Sequence, residues 1–260
     1  SGVYDSLSSG IHINTFKSIE NIVCEKFKLI EGLPENGVGF LNYDNKFIRS
    51  YKYKAKCKIV TYGTTSDCDV YASDVKMSLE GLRFTVFYKE GSFEVASRLV
   101  GIHNVNNLLA AIACSLEFKA SQQEIIDGIR NIAPVRHRLE IYEKGNITII
   151  DDAYNSNILG FKNALQVLGL ASNKKTLITP GIIEAGDQTE KLNSSLAQEI
   201  ARVCDQVILV DNLSSRYIKE GLVALGYQQI MVVSSFQEGI MLVTEGTVLI
   251  ENDLPDNYFV

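Results

Sequence analysis

No stretch of this sequence is long and apolar enough to cross a membrane, and no secretory leader opens it. Both absences point to a cytoplasmic protein. There is no run of lysine or arginine, and the formal net charge is −6. Nucleic acid and anionic membrane surfaces are therefore poor partners, although a few local donors could still hold a small phosphorylated ligand. Cysteine is sparse: Cys24, Cys57, Cys68, Cys114 and Cys204 form an odd set with no C-x-x-C spacing. That argues against a zinc ribbon or a disulfide framework and suits reduced thiols. The three histidines stand far apart, and G-x-S-x-G, H-E-x-x-H and any Ser–His–acid signature are missing. Also missing is G-x-x-x-x-G-K-[ST], the backbone cradle and lysine that grip nucleotide phosphates. The chain carries no internal repeat and no low-complexity tract.

What remains is an ordinary globular composition over 260 residues, enough for one large domain or two small ones. The opening SGVYDSLSSGIHIN reads as a loop, and a start in a loop suggests that a segment is missing upstream. Residues 13–33 carry Phe16, Ile19, Ile22, Val23 and Phe27 at helical spacing. VGFLNYDN reads as a strand leading into a turn, and residues 57–100 as short strands joined by hairpin turns such as EGS. Residues 104–118 form an apolar helix, and Ser121 with Glu124 makes a capping box for the next. A boundary falls near Pro134. Beyond it, strand-like runs at 147–151, 175–179, 206–210, 229–233 and 247–250 alternate with helical stretches, the pattern of an open, largely parallel α/β sheet.

Three polar clusters stand out. IDDAYNSN (150–157) packs two acids, a tyrosine and two asparagines between a strand and a helix. Ligands of open α/β sheets bind beyond the carboxyl ends of strands, where a carboxylate can accept from both hydroxyls of a ribose. An Asx turn and a helix N-cap account for one or two of these groups, not five. GIHNVNNLLAAIA (101–113) gathers His103, Asn104 and Asn107 at a helix start. Asparagine's paired donor and acceptor suit the edge of adenine, while capping is the plainer explanation. PVRHRLE (134–140) puts Arg136 and Arg138 at the inferred junction. An arginine there can reach a phosphate, or merely pair with an acid such as Glu140. His12 and Lys26 alone read as solvated surface. PGIIEAG reads as a Gly-rich loop with one exposed acid, Glu184, at the same sheet edge.

Taken in order, these segments resemble the Mur ligase family, most nearly the type that adds D-alanyl-D-alanine to UDP-N-acetylmuramoyl-tripeptide. HINTFKSIENIVCEKFKLIEGLPENGVGFLNYDN is similar to the family's H-L-x-x-x-x-S-x-E-x-I-x-x-x-K segment, its G-L-P turn and its L-N-x-D-D strand end. GIHNVNNLLAAIA, RLE, DDAYNSN and TPGIIEAG resemble the motifs that follow, and LIENDLPDNY resembles that type's ending. The resemblance implies an α/β protein: residues 1–134 as part of a central ATP-binding domain with a small β-rich region, and 135–260 as a Rossmann-like carboxyl-terminal domain. It implies ATP and Mg2+ as cofactors, with UDP-N-acetylmuramoyl-tripeptide and D-Ala-D-Ala as substrates joined through an acyl phosphate.

By the same resemblance, His103, Asn104 and Asn107 face adenine and Arg138 reaches the phosphates. Asp152 holds the ribose, with Tyr154 and Asn155 beside it, and Glu184 lies near the incoming dipeptide. His12 and Lys26 stand at magnesium, the lysine being one that the family carbamylates; in this chain it is expected to be unmodified. The departures are the family's amino-terminal UDP-binding domain, its P-loop and its upstream magnesium-binding glutamate, none of which is in the sequence, together with Ile158 in place of proline and Ala185 in place of leucine. The expected reading is a partial chain, inactive alone, whose partner is the missing amino-terminal half. The rivals are another Mur or folylpolyglutamate-synthase type of ligase, a non-catalytic nucleotide-binding partner subunit, and a nucleotide-binding Rossmann-like protein of unknown reaction. The last is weakened because no G-x-G-x-x-G follows the strand at 147–151.

Overall fold

A computed structural model describes residues 2–4, 19–154, 157–183 and 186–251. The chain forms two compact units, one built mainly from residues up to Ile132 and the other from Ala133 onward. Each holds a six-stranded mixed sheet, so the α/β class read from the sequence is the class adopted. No helix among the described residues is long and apolar enough to cross a membrane.

In the first unit the sheet follows chain order: β1 (Gly2–Tyr4), β2 (Val38–Asn42), β3 (Lys58–Gly63), β4 (Val70–Ser78), β5 (Gly81–Tyr88) and β6 (Gly91–Ser97). Strands β1 to β4 pair in parallel, and β5 and β6 form an antiparallel hairpin. The periodic segment near the start becomes α1 (Ile19–Glu31). Its stripe of Ile22, Val23, Phe27 and Ile30 is buried with Leu41 and Ile48, and Phe27 stacks on Tyr51 and Tyr53 at 4.4 and 5.3 Å. Asn45 caps the short α2 (Lys46–Ser50).

The apolar helix α3 (His103–Glu117) lies against β2 and β3, and α4 (Gln122–Arg130) carries the capping box read from the sequence. Ser121 Oγ accepts from the Glu124 amide, and the Glu124 carboxylate accepts from the Ser121 amide at 2.8 Å. Ser121→Ala is expected to lower stability by about 1 kcal/mol, read as a lower urea midpoint at unchanged m.

In the second unit the order is β11 (Ile230–Val233), β10 (Gln206–Val210), β9 (Lys175–Thr179), β12 (Gly246–Glu251), β8 (Ile147–Asp152), β7 (Glu140–Lys144). All pairs are parallel except β7 with β8. The central strands are buried on both sides, Leu177, Ile178, Val207, Ile208, Val248 and Leu249 each at 0% exposure. Such strands read as continuous apolar runs, which is why the sequence marked them. Helices α5 (Ile158–Leu168), α6 (Thr189–Val203) and α7 (Leu213–Ala224) pack side by side. The short α8 (Phe236–Met241) packs where Ile178, Ile208 and Val248 point.

Two expectations are corrected. The opening is not all loop: Gly2–Tyr4 is a strand, with Gly2 opposite Gly39. A three-residue strand shows no alternation, and its parallel partner lies far along the chain. The run at 147–151 does not begin the second sheet either, because β7 precedes it through the turn at Gly145, whose φ is +62°. The sequence Glu-Ile-Tyr-Glu-Lys is mostly charged and exposed at an edge, so its pattern is weak.

Candidate nucleotide-facing site

Strands β8 and β12 end side by side, and their last residues, Asp152 and Glu251, are register partners. Glu251 is fully buried, and Asp151 is 1% exposed. Asp152 Oδ1 accepts from the Leu139 amide at 3.1 Å, and its carboxyl also hydrogen-bonds Glu251. Two carboxyls can share a hydrogen bond only if one carries a proton. Burial first, with the nearby Asp151 adding to it, pushes Asp152 up to about 6, against the lowering effects of the Leu139 amide, Glu251 and Arg138.

The segment 137–139 hooks over this edge. His137 and Leu139 both have left-handed backbones, φ +60° and +51°, unusual for residues other than glycine. Internal bonds sustain them: the Tyr154 amide donates to His137 O at 3.1 Å, and the Arg138 amide to Val135 O at 3.0 Å. His137 Nδ1 lies 2.8 Å from Asp151 Oδ2, and Asp151 Oδ1 accepts from the Ala153 amide at 3.2 Å. Between the two inward-turned residues Arg138 points outward and lies over the Tyr154 ring at 4.2 Å, a cation–π contact. Arg138 therefore meets Tyr154 and not Glu140. Arg138, Asp152 and Tyr154, separate candidates in the sequence, come together here. Asn157, by contrast, is the cap of α5, accepting from the amides of Leu159 and Gly160 at 3.0 and 2.9 Å. Asn155 and Glu184 lie outside the described residues.

The turn after β9 is held from below by a side chain the sequence reading passed over. Asn193 of α6, fully buried, accepts from the Ile182 amide at 2.8 Å and donates to Ile182 O at 3.0 Å and Thr189 O at 2.9 Å. Ser214 Oγ donates to the same Ile182 carbonyl at 2.8 Å, and Asn212 Nδ2 to Pro180 O at 2.9 Å. The signal was present: Asn193 stands three and four residues before Leu196 and Ala197, on the apolar stripe of the helix. His137, Asp151 and Glu251 were also missed, although a glutamate closing the all-apolar run Val248-Leu249-Ile250 was a comparable signal.

In the first unit the plainer explanation of the asparagines fails. The N-cap of α3 is Ile102, which makes no side-chain cap bond. Asn104 and Asn107 sit inside the first turns, where Asn107 Nδ2 donates to Asn104 Oδ1 at 3.0 Å. His103 and Asn107 are exposed and Asn104 half-buried. Lys26 lies on the exposed side of α1, next to the buried Phe27. His12 lies outside the described residues. No group of three His, Cys, Asp or Glu among the described residues could hold a metal ion, and an unmodified Lys26 is a cation, so the residues described do not form a magnesium site.

A family model described as the Mur ligase middle domain matches residues 8–115, and one described as the Mur ligase glutamate ligase domain matches residues 137–250. The UDP-N-acetylmuramoyl-tripeptide–D-alanyl-D-alanine ligase of Bacillus subtilis (strain 168) is 30% identical over 81% of this chain and 46% of its own. The chain spans about half the length of the curated relatives it matches. Two solved structures share the fold. MurF from Acinetobacter baumannii has a TM-score of 0.83 at 23% identity over 96% of this chain and 56% of its own. MurF ligase from Thermotoga maritima in complex with ADP has a TM-score of 0.76 at 19% identity over 94% and 56%. With both domain models matched in order along its length, the chain belongs to the Mur ligase family and carries that family's middle and carboxyl-terminal domains.

Proposed function

We propose that this chain supplies nucleotide-facing groups of an ATP-dependent amide-bond ligase of peptidoglycan precursor synthesis, with UDP-N-acetylmuramoyl-tripeptide and D-Ala-D-Ala as substrates. The observation that carries the reading is the platform in which Arg138 lies over Tyr154 beside Asp152, at the sheet edge where α/β proteins bind ligands. Arg138 offers a planar guanidinium to phosphate oxygens. Asp152 keeps acceptor capacity for ribose hydroxyls beyond its internal bonds. His103, Asn104 and Asn107 offer donors and acceptors to an adenine edge. Asn155 is proposed beside Tyr154, and Glu184 near the dipeptide. The chemistry they would serve is acyl-phosphate formation on the peptide carboxylate, then attack by the dipeptide amine with loss of phosphate. No step is assigned to Mg2+, for which the described residues form no site; His12 and Lys26 stand as contacts by the family resemblance alone, the lysine only in a carbamylated form.

Since the sequence has no P-loop motif, the 260-residue polypeptide alone is expected to release no phosphate from ATP, UDP-tripeptide and D-Ala-D-Ala. Fused behind the P-loop-bearing amino-terminal half of a Mur ligase, it is expected to release phosphate only with both acceptor and UDP-tripeptide present. In that fusion Arg138→Ala is expected to lower kcat/KM by about 10- to 100-fold, the worth of one charge-assisted contact. Turnover by the polypeptide alone, or by the fusion with glutamate in place of D-Ala-D-Ala, would overturn the proposal.

A further inference from the structure

We propose that His137 is a positioning residue: held by Asp151, its ring keeps the 137–139 hook in the one conformation that lays Arg138 across Tyr154. The proposal rests on reading Arg138 and Tyr154 as nucleotide-facing. Three bonds tie the hook to the end of β8 and the turn beyond it: His137 O from the Tyr154 amide, Asp152 Oδ1 from the Leu139 amide, and the His137 ring to Asp151. Of these, the last uses a side chain of the hook. Asp151 is a fixed anchor for it, because the strand end buries that carboxyl and its other oxygen holds the Ala153 amide. A carboxylate accepts, so Nδ1 carries the proton it donates.

The backbone makes the ring matter. Left-handed conformations at His137 and Leu139 are each disfavoured by roughly 1–2 kcal/mol in residues with a Cβ. Without compensating contacts the segment would relax toward ordinary dihedrals and swing Arg138 away. Leu139 is compensated by its amide bond to Asp152 and by a side chain that is 4% exposed. His137 is half-buried, and its ring bond is the side-chain counterpart at the other end. The Tyr154 amide is bonded to His137 O, so the hook meets the turn that carries Tyr154 at the residue whose ring is held.

The chemistry offers a clean separation of ring from backbone. Glycine accepts a positive φ without strain, so His137→Gly removes the ring and its bond to Asp151 without straining the backbone. Asparagine also tolerates that conformation, and its Nδ2 is attached to Cγ just as His137 Nδ1 is, so His137→Asn returns the donor. Asp151→Ser keeps a short oxygen acceptor for the Ala153 amide but cannot reach the ring. The readouts are the NMR resonances of the Tyr154 ring, with Arg138→Ala as the reference for an unoccupied ring face, and ADP affinity by calorimetry. His137→Gly and Asp151→Ser are expected to move the Tyr154 resonances most of the way to the Arg138→Ala values and to weaken ADP binding about 5- to 10-fold, with His137→Asn near wild type in both. The proposal is overturned if both ring-breaking variants keep wild-type Tyr154 resonances, or if His137→Asn shifts them as far as His137→Gly does. Should wild type bind no ADP, the nucleotide reading fails while the resonances still decide the positioning role. Should the glycine variant not fold, Asp151→Ser carries the comparison.

Discussion

Asn193→Ala is expected to destabilise the second unit by about 3–5 kcal/mol, read as a fall in the urea midpoint at constant m. The side chain is fully buried and makes three hydrogen bonds to backbone. Without it the Ile182 amide, on a residue that is itself 5% exposed, loses its acceptor. A buried group left unsatisfied costs about 1–3 kcal/mol. Ile182 O keeps Ser214 as donor, so the loss is concentrated on the Ile182 amide, the Thr189 carbonyl and the space vacated by the amide group. Gly181, at φ +82°, packs directly against this amide: a Cβ there would stand 2.7 Å from Asn193 Oδ1. Asn193→Asp is expected to be no better, since it keeps the acceptor, loses both donors and adds a charge without a cation. A change below about 1 kcal/mol in the alanine variant would show that the turn after β9 stands without the asparagine.

Asp152→Asn is expected to do the opposite above pH 6. The carboxyl of Asp152 is pushed up to about 6, by burial first, against an ordinary value near 3.9 in the unfolded chain. A folded pKa above the unfolded one means that the stabilising contribution is fully present below about pH 4, where both states are protonated. It is lost as pH rises through about 6. The ionised group at neutral pH therefore costs up to about 3 kcal/mol. Asparagine removes that cost while its oxygen still accepts from the Leu139 amide. The variant should exceed wild type in stability by about 2–3 kcal/mol at pH 7.5, with the difference closing toward pH 4. A difference equal at both pH values would refute the burial origin. If Asp152 is the ribose acceptor proposed above, the same variant is expected to bind nucleotide more weakly; a gain in stability with a loss in function is the usual signature of a site residue.

Much of this architecture could be read along the chain. Strands β9, β10 and β12 of the second sheet are largely buried and β8 mostly so, and each therefore carries a short apolar run. Strand β11 is apolar too, although Met231 and Val232 are exposed at the sheet edge, and the helices between the strands show a 3.6-residue stripe. The Ser121–Glu124 box is legible because both partners lie within one turn. Two edge strands were not legible: β1 is three residues long and β7 is largely charged, and an edge has one neighbour to satisfy and one side open to water. Of the site, IDDAYNSN announced itself by an excess of polar groups, and the structure divides that excess unevenly. Asn157 caps a helix, Asp151 anchors the His137 ring and the Ala153 amide, and only Asp152 and Tyr154 stand with Arg138.

The sequence by itself determined the class of fold, the order of the elements and the motif set that marks a Mur ligase, because these depend on local periodicity and on residues adjacent in the chain. Tertiary structure alone decided that Glu251 meets Asp152, that Asn193 holds Ile182, and that His137 and Leu139 bend the chain so that Arg138 lies on Tyr154. Those pairings join residues 11 to 99 positions apart in the sequence. Each is a matter of burial and hydrogen-bond satisfaction, and whether a buried polar group has a partner depends on which strand ends and helix faces are brought against it.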